Sequence, residues 1–191
     1  MTQDDKRVRI LDAALKLFSE RGFHGTAVPD IARAAGVGTG TIYRYFPDKE
    51  GLVNELYRTW RNRFNATVLA PMPADLGPRA QFDLYWQRLV GFVREAPVAA
   101  RFLDLHHHGD YLDEASRQIA RIYPTAIRAF VRGGIGAGIL RAVQPEALIA
   151  VMQGTVLGLM KQEEQRDGSD LLTEEITAET GGCLWQAIAA A

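Results

Sequence analysis

The sequence lacks several features that would place a protein in a common class. It has one cysteine, Cys183, so it cannot form an internal disulfide, which is typical of a reducing compartment. Its longest apolar run, ALIAVMQGTVLGLM at 147–160, is broken by Gln153 and two glycines and is too short to cross a bilayer. The first residues lack the apolar core of a secretory signal. We therefore expect a cytoplasmic protein without a membrane partner.

An excess of positive charge is also missing. The 191 residues have a formal net charge of −1, which by itself argues against a nucleic-acid-binding protein. Residues 1–49 hold 8 Lys and Arg against 6 Asp and Glu, a net of +2, and the remainder holds 14 against 17, a net of −3. An excess of two charges is small. Any argument for DNA binding must therefore depend on where the positive groups lie.

Sequence motifs of catalysis and of metal binding are absent as well. There is no nucleophile elbow, no His-Glu-x-x-His and no cysteine beside a plausible base, so we expect no enzyme and no cofactor. The run LHHHGD contains His106, His107 and His108, but adjacent helical residues point about 100° apart and cannot converge on one ion. His106 falls on an apolar face with Phe102, and we interpret it as pocket lining; a metal site is the weaker alternative.

What the sequence does have is helical periodicity in almost every segment. We predict helices at about 5–21, 39–46, 79–95, 97–108, 113–134, 145–165 and 171–189, with Pro124 kinking or splitting the one at 113–134. A short second helix contains Ile31, Ala32 and Ala35, and a long fourth helix carries Leu52, Leu56, Trp60 and Phe64. Gly22 should end the first helix and place Phe23 on Phe18, while Thr26 and Asp48 should cap the second and fourth. The predicted fold is all-α.

The first three short helices fit a helix-turn-helix. With Ile42 and Phe46 buried, the third helix presents polar and aromatic side chains outward, and glycines beside its start let backbone amides approach a phosphate. The candidate DNA-binding residues of this stretch are Thr26, Gly38, Thr39, Gly40, Thr41, Tyr43, Arg44, Tyr45 and Lys49. Lys49 places a cation at the positive end of a helix, which a phosphate would make favourable. The alternative is a plain helical subdomain with a solvated surface.

The segment TAVPDIARAAGVGTGTIYRYFPDKEGLVNEL, at 26–56, closely resembles the DNA-binding signature of the TetR family of bacterial repressors. The likeness covers residues 7–56. It implies that Thr26, Thr39, Tyr43, Tyr45 and Lys49 occupy phosphate-contacting positions and that Thr41 and Arg44 can also meet bases. Gly38 replaces a hydroxyl residue and Thr39 a lysine that are common in the family. The resemblance further implies an N-terminal helix-turn-helix domain, 1–49, and a helical domain for ligand binding and dimerisation, 50–191.

Two groups of residues in the second domain are candidates for these roles. Aromatic, methionine and polar-tipped side chains could enclose a small, apolar or aromatic effector: Trp60, Phe64, Tyr85, Trp86, Phe102, His106, Tyr123 and Met152. Small and apolar positions of the last two helices could form a two-fold dimer interface: Ala150, Gly154, Gly158, Ile176, Leu184 and Ile188. In both cases the alternative is that the residues only complete the core of one chain.

The sequence therefore predicts a homodimeric, ligand-responsive transcriptional regulator that binds double-stranded DNA. As a repressor it would leave a palindromic operator when a small-molecule effector binds. The alternative is a helical ligand- or partner-binding module whose N-terminal helices do not bind DNA, which the substitutions at Gly38 and Thr39 keep open.

Overall fold

The computed structural model describes residues 3–104, 109–164 and 172–190. These residues form ten helices: α1 Gln3–Arg21, α2 Val28–Ala35, α3 Thr39–Tyr45, α4 Lys49–Val68, α5 Pro78–Glu95, α6 Pro97–Asp104, α7 Glu114–Ala120, α8 Ile122–Gly136, α9 Pro145–Glu164 and α10 Glu174–Ile188. Within those ranges the β-structure is one isolated bridge between Leu140 and Ala189. The all-α prediction is confirmed.

The chain forms two compact units. Unit 1 comprises Met1–Arg63 and Ala96–Ala120, and unit 2 comprises Phe64–Glu95 and Arg121–Ala191. The chain passes from one unit to the other within α4. The helices α6 and α7 thus share a unit with the three N-terminal helices, and α1 contacts both α2 and α6. The domain boundary between residues 49 and 50 stays a prediction.

Two predicted helix ends of unit 1 are confirmed in detail. Gly22 has a φ of 67°, and its amide donates to the Phe18 carbonyl at 2.9 Å. The rings of Phe18 and Phe23 then stack with centroids 6.1 Å apart. At the start of α4, the Asp48 carboxylate accepts a hydrogen bond from the Gly51 amide at 2.6 Å. Local capping chemistry therefore defines both ends.

The predicted cap of α2 is wrong. The N-cap residue is Ala27, and no side chain accepts a hydrogen bond there. Thr26 lies one position earlier and is 1% exposed, and its hydroxyl donates backwards to the carbonyls of Leu17 at 3.2 Å and Gly22 at 2.8 Å. The hydroxyl therefore binds one carbonyl in the last part of α1 and one in the turn after it, instead of accepting from an amide of α2.

Pro124 splits the predicted helix 113–134, as one of the two expected outcomes. α7 ends at Ala120 and α8 begins at Ile122, so the proline lies in the first turn of α8, where its missing amide hydrogen costs no helical hydrogen bond. The predicted helix 97–108 is described only as far as Asp104.

In unit 2, α5 and α10 run antiparallel. Phe82 contacts Trp185 with ring centroids 5.2 Å apart, and the Trp86 indole nitrogen donates to the Thr177 carbonyl at 2.6 Å. A Cβ at Gly181 would lie 2.6 Å from Cδ1 of Trp86, so this close crossing requires glycine. α9 packs against both α8 and α10.

Candidate nucleic-acid interface

The third helix buries one face and exposes the other, as predicted. Ile42 and Phe46 are each 1% exposed, which fixes the orientation of α3 against the core of unit 1. Tyr43 is 51% exposed and Arg44 is exposed, so an aromatic hydroxyl and a guanidinium project from the outer face. Such groups can donate hydrogen bonds to phosphate oxygens, and arginine can also bind the edge of a guanine.

The turn before α3 depends on a glycine. Gly36 has a φ of +62°, a left-handed conformation that side chains disfavour, and it lets the Val37 amide donate to the Ala32 carbonyl at 3.0 Å. Ala32 is 2% exposed, so its small side chain lies in the core of unit 1. This turn sets the angle at which α3 leaves α2.

The remaining predicted residues of the α3 start lie at or near the surface. Gly38 and Gly40 are exposed, and Thr39, Thr41 and Tyr45 are half-buried. A Cβ at Gly40 would meet nothing within 4 Å. No neighbour within the chain therefore requires a glycine there, and the backbone at this position is open to a close approach from outside.

Lys49 and Thr26 differ from the other candidates because their polar groups have partners inside unit 1. The Lys49 ammonium donates to the carbonyls of Phe23 at 2.8 Å and Thr26 at 3.0 Å and lies 4.1 Å from the centroid of the Phe23 ring. The Thr26 hydroxyl donates to two carbonyls, as described above. In this structure neither group points to the outer face that α3 presents.

Sequence reasoning missed three residues beside this site. The Phe23 ring stacks on Tyr111 with centroids 4.2 Å apart. The Asn54 amide group donates to the Tyr111 carbonyl at 2.8 Å, and its oxygen accepts from the Asp113 amide at 2.8 Å. Burial, with added repulsion from Tyr57 and Asp110, raises the pKa of Tyr111 to about 12. No local pattern could reveal these contacts, because they join segments far apart in the sequence.

Comparison with known families decides what this arrangement is. The family described as bacterial regulatory proteins, tetR family, matches residues 10–56, and the tetracyclin repressor-like C-terminal domain matches residues 58–190. The chain belongs to the TetR family. It is a DNA-binding transcriptional regulator of the ligand-responsive type. The resemblance found in the N-terminal sequence thus extends over nearly the whole chain.

Individual proteins are also similar to this chain in sequence or in fold. The HTH-type transcriptional regulator RutR of Escherichia coli K12 is 31% identical over 150 residues, which cover 75% of this chain and 68% of RutR. A TetR-family regulator from Marinobacter aquaeolei VT8 has the same fold, with a TM-score of 0.81, 23% identity and 98% and 97% of the two chains covered. AibR, solved with isovaleryl coenzyme A and operator DNA, has a TM-score of 0.76, 21% identity and 94% and 98% coverage.

The residues predicted for the effector pocket are divided between the two units. In unit 1, Phe102 is 1% exposed and its ring packs against Phe18 and Tyr57, while Trp60 is half-buried beside Arg63. His106, with His107 and His108, lies outside the described residues. Phe102 is therefore a core residue of the unit that carries the helix-turn-helix.

Three of the predicted pocket residues come together in unit 2. The Phe64 ring contacts the rings of Phe92 at 5.1 Å and Tyr123 at 4.9 Å. The hydroxyl oxygens of Tyr85 and Tyr123 lie 2.6 Å apart and share a hydrogen bond. Burial, reinforced by Tyr123, raises the pKa of Tyr85 well above that of a free tyrosine. We call Phe64, Tyr85, Phe92 and Tyr123 the tyrosine cluster. Met152 is buried in the same unit.

Trp86 lines a different space. A groove of about 650 Å³ lies between α5 and α10, with Trp86, Val90 and Gly181 among its apolar lining and Arg79, Arg94 and Glu174 among its charged lining. We call it the α5–α10 groove. Its volume is in the range of small-molecule sites. Among the described residues, no group of three or more His, Cys, Asp or Glu could hold a metal ion.

The predicted dimer residues fall into two groups. Ala150 and Gly154 are exposed and Gly158 and Ile176 are half-buried, whereas Leu184 and Ile188 are 4% and 0% exposed. The last two side chains therefore pack in the core of their own unit, because their stripe of α10 faces the other helices of unit 2. Over the residues that the structure describes, no helix is long and apolar enough to cross a membrane.

Proposed function

We propose that this TetR-family regulator is a homodimeric repressor that binds a palindromic operator through α3 and releases it when a small apolar or aromatic molecule binds unit 2. It would act in the cytoplasm, where the operator lies, and would not convert its effector. The observation that supports this most directly is the outer face of α3, where Tyr43 and Arg44 are exposed while Ile42 and Phe46 hold the helix in place.

The proposed DNA contacts follow from the chemistry of that face. Hydroxyls of Thr39, Tyr43 and Tyr45 would donate to phosphates, with the open backbone at Gly38 and Gly40 beside them. Thr41 and Arg44 would reach base edges, where one good bidentate contact discriminates by about 1–3 kcal/mol. Thr26 and Lys49 are the weakest of the predicted contacts, because their polar groups are bonded within unit 1.

The first experiment is selection of binding sites from a random duplex DNA pool. A palindromic consensus with half-sites about one helical turn apart is expected, because a two-fold dimer presents two copies of α3. On the selected duplex, Arg44→Ala should weaken binding about 5- to 150-fold and relax specificity at one base pair. Arg63→Ala is the matched control, since Arg63 is exposed on α4 beyond the helix-turn-helix. No enrichment at low salt would contradict the proposal.

The proposed dimer interface uses the exposed face of α9. A Cβ at Gly154 or Gly158 would meet nothing within 4 Å, so the chain itself gives no reason for glycine at either position. Val151, on the same side, is 46% exposed although it is apolar. A ridge of small residues beside an exposed valine allows a second helix to approach closely.

Substitution of the ridge tests this interface. Gly154→Glu should convert the dimer to a monomer, measured by sedimentation velocity, because a carboxylate would be buried where the partner helix packs. Gly136→Glu is the control, since Gly136 is also exposed with open space around it but lies at the end of α8. A Gly154→Glu protein that sediments as the wild type does would refute this interface.

The effector is proposed to bind at the tyrosine cluster. The Phe64 ring packs against Tyr123, whose hydroxyl pairs with that of Tyr85, and this combination suits an apolar molecule that carries one polar group. Small molecules that raise the melting temperature and release the selected duplex would identify the effector class. Tyr85→Phe should weaken such a ligand, whereas Arg94→Ala should do so only if the ligand occupies the α5–α10 groove.

A further inference from the structure

Lys49 has an arrangement that DNA binding by itself does not explain. Its ammonium group, at the start of α4, donates to the Phe23 carbonyl at 2.8 Å and the Thr26 carbonyl at 3.0 Å. Both carbonyls belong to the turn that joins α1 to α2, and a turn carbonyl can accept two hydrogen bonds. The same nitrogen lies 4.1 Å from the centroid of the Phe23 ring, within the range of a cation–π interaction.

These three contacts account for a cation at the positive end of a helix. The charge is unfavourable there in isolation, but two carbonyl dipoles and the face of an aromatic ring compensate for it inside unit 1. Two of its three N–H donors bind carbonyls and the Phe23 ring lies beside the nitrogen, so a phosphate would have to compete with partners inside unit 1. The contacts hold the start of α4 against the turn that leads into α2.

The Phe23 ring connects this contact to a segment that follows α6 in the chain. Tyr111 stacks on it at 4.2 Å with an angle of 22° between the rings. Asn54 fixes the Tyr111 backbone, since its side chain bonds the Tyr111 carbonyl and the Asp113 amide, each at 2.8 Å. Tyr111 is 8% exposed. Its ring is held by the stack on Phe23, and its backbone is held by the hydrogen bonds to Asn54.

We infer that Lys49 is a positioning residue rather than a phosphate ligand, and that Tyr111, Phe23 and Lys49 form a relay from the segment 111–113 to the helices that read DNA. Displacement of Tyr111 would loosen the Phe23 ring, and with it the two carbonyls that Lys49 binds. Those carbonyls precede α2 directly, so the placement of α2 and α3 depends on the relay. This inference rests on the proposed DNA-binding function, because the affinity test needs the selected duplex.

Salt dependence separates the two roles of Lys49. Loss of one phosphate contact lowers the slope of log Kd against log salt concentration by about 0.9. If Lys49 positions the turn, Lys49→Met should weaken binding to the selected duplex about tenfold at every salt concentration and leave that slope unchanged. Lys16→Met, which removes an exposed lysine from α1, is the matched control. A slope reduced by about 0.9 would overturn the inference.

Hydrogen exchange of the DNA-free protein tests the same role without DNA. Lys49→Met should accelerate amide exchange at least fivefold in residues 26–35, whereas a phosphate ligand should leave exchange there unchanged. Lys49→Arg keeps the charge but cannot reproduce the ammonium geometry, so the relay predicts intermediate exchange and reduced affinity. Wild-type values for this variant in both assays would contradict the relay. If no DNA site were found, the exchange rates in residues 26–35 would still show whether Lys49 positions the turn.

Tyr111 provides the coupling test. Tyr111→Leu should accelerate exchange in residues 26–35 and weaken DNA binding, although Tyr111 belongs to neither helix. Tyr111→Phe keeps the stacked ring and should have a clearly smaller effect on both measurements. Combined with Lys49→Met, Tyr111→Leu should add less than half of its separate effect on Kd, because both changes interrupt one chain of contacts. Fully additive effects, or a silent Tyr111→Leu, would refute the relay.

Discussion

Asn54 offers the most direct measurement of how firmly the segment 111–113 is attached to α4. The residue is 3% exposed and makes three hydrogen bonds. Its amide group donates to the carbonyls of Glu50 at 2.9 Å and Tyr111 at 2.8 Å, and its oxygen accepts from the Asp113 amide at 2.8 Å. Asn54→Ala removes all three and leaves the Tyr111 carbonyl and the Asp113 amide without this partner.

The expected loss of stability follows from these bonds. Each intramolecular hydrogen bond contributes about 0.5–1.5 kcal/mol net, and a buried group that loses its partner costs about 1–3 kcal/mol. Two of the bonds reach across to another segment, while the bond to Glu50 is local and its carbonyl also serves the helix. We therefore expect Asn54→Ala to lower the free energy of unfolding by about 2–4 kcal/mol.

Urea denaturation at a fixed protein concentration measures this loss. With a slope of about 2 kcal/mol per molar urea, the midpoint should fall by about 1–2 M. Asn62→Ala is the matched control, since Asn62 is exposed on the same helix, and should change the midpoint by less than about 0.3 M. Amide exchange at 109–116 should accelerate in Asn54→Ala alone. A midpoint for Asn54→Ala equal to that of the control would refute the reasoning.

Two further predictions concern unit 2. Gly181→Ala should lower the melting temperature by an amount equivalent to about 1–3 kcal/mol, because its Cβ would overlap Trp86. A Cβ at the neighbouring Gly182 has open space, so Gly182→Ala should stabilise α10 by about 0.5–1 kcal/mol. Equal effects of the two substitutions would contradict the close crossing of α5 and α10. Tyr85 has a raised pKa in the folded state, so its contribution to stability is fully present below pH 10 and is lost as the pH rises above it. Tyr85→Phe should therefore reduce the alkaline loss of stability in urea titrations between pH 9 and 11, and an unchanged pH profile would contradict the buried hydroxyl pair.

Local sequence signals predicted the helices well because each depends on neighbouring residues. The period of the apolar residues, Gly22, Asp48 and Pro124 all act within one or two helical turns, and the structure confirms them. The predicted N-cap at Thr26 was wrong because that contact does not depend on neighbouring residues alone. Its hydroxyl could accept from the amides that follow it or donate to the carbonyls that precede it. The packing of α1 on α2 determines which of the two hydrogen bonds forms, and here the hydroxyl donates to the carbonyls.

The candidate sites were less predictable because they depend on contacts between distant segments. An apolar stripe such as that of Leu184 and Ile188 is the same whether a helix faces its own core or a partner chain, and here it faces the core. The residues of the predicted pocket have aromatic side chains in common, but they lie in different places, since Phe102 packs in unit 1 and Tyr85 in unit 2. Composition cannot make that distinction.

The small positive excess of the N-terminal helices has a structural explanation. Several of their cations are bonded within unit 1: Arg7 pairs with Glu55, Arg9 with the Ala35 carbonyl, Arg33 with Asp30, and Lys49 with the α1–α2 turn. These charges build the scaffold that holds α3. Over the part of the chain that the structure describes, Arg44 is an exposed cation of α3 without an ion pair. If these four cations keep their partners when DNA binds, the proposed contacts of α3 depend more on hydroxyl donors and on the fit of the helix to the groove, and we expect a shallow salt dependence per protomer.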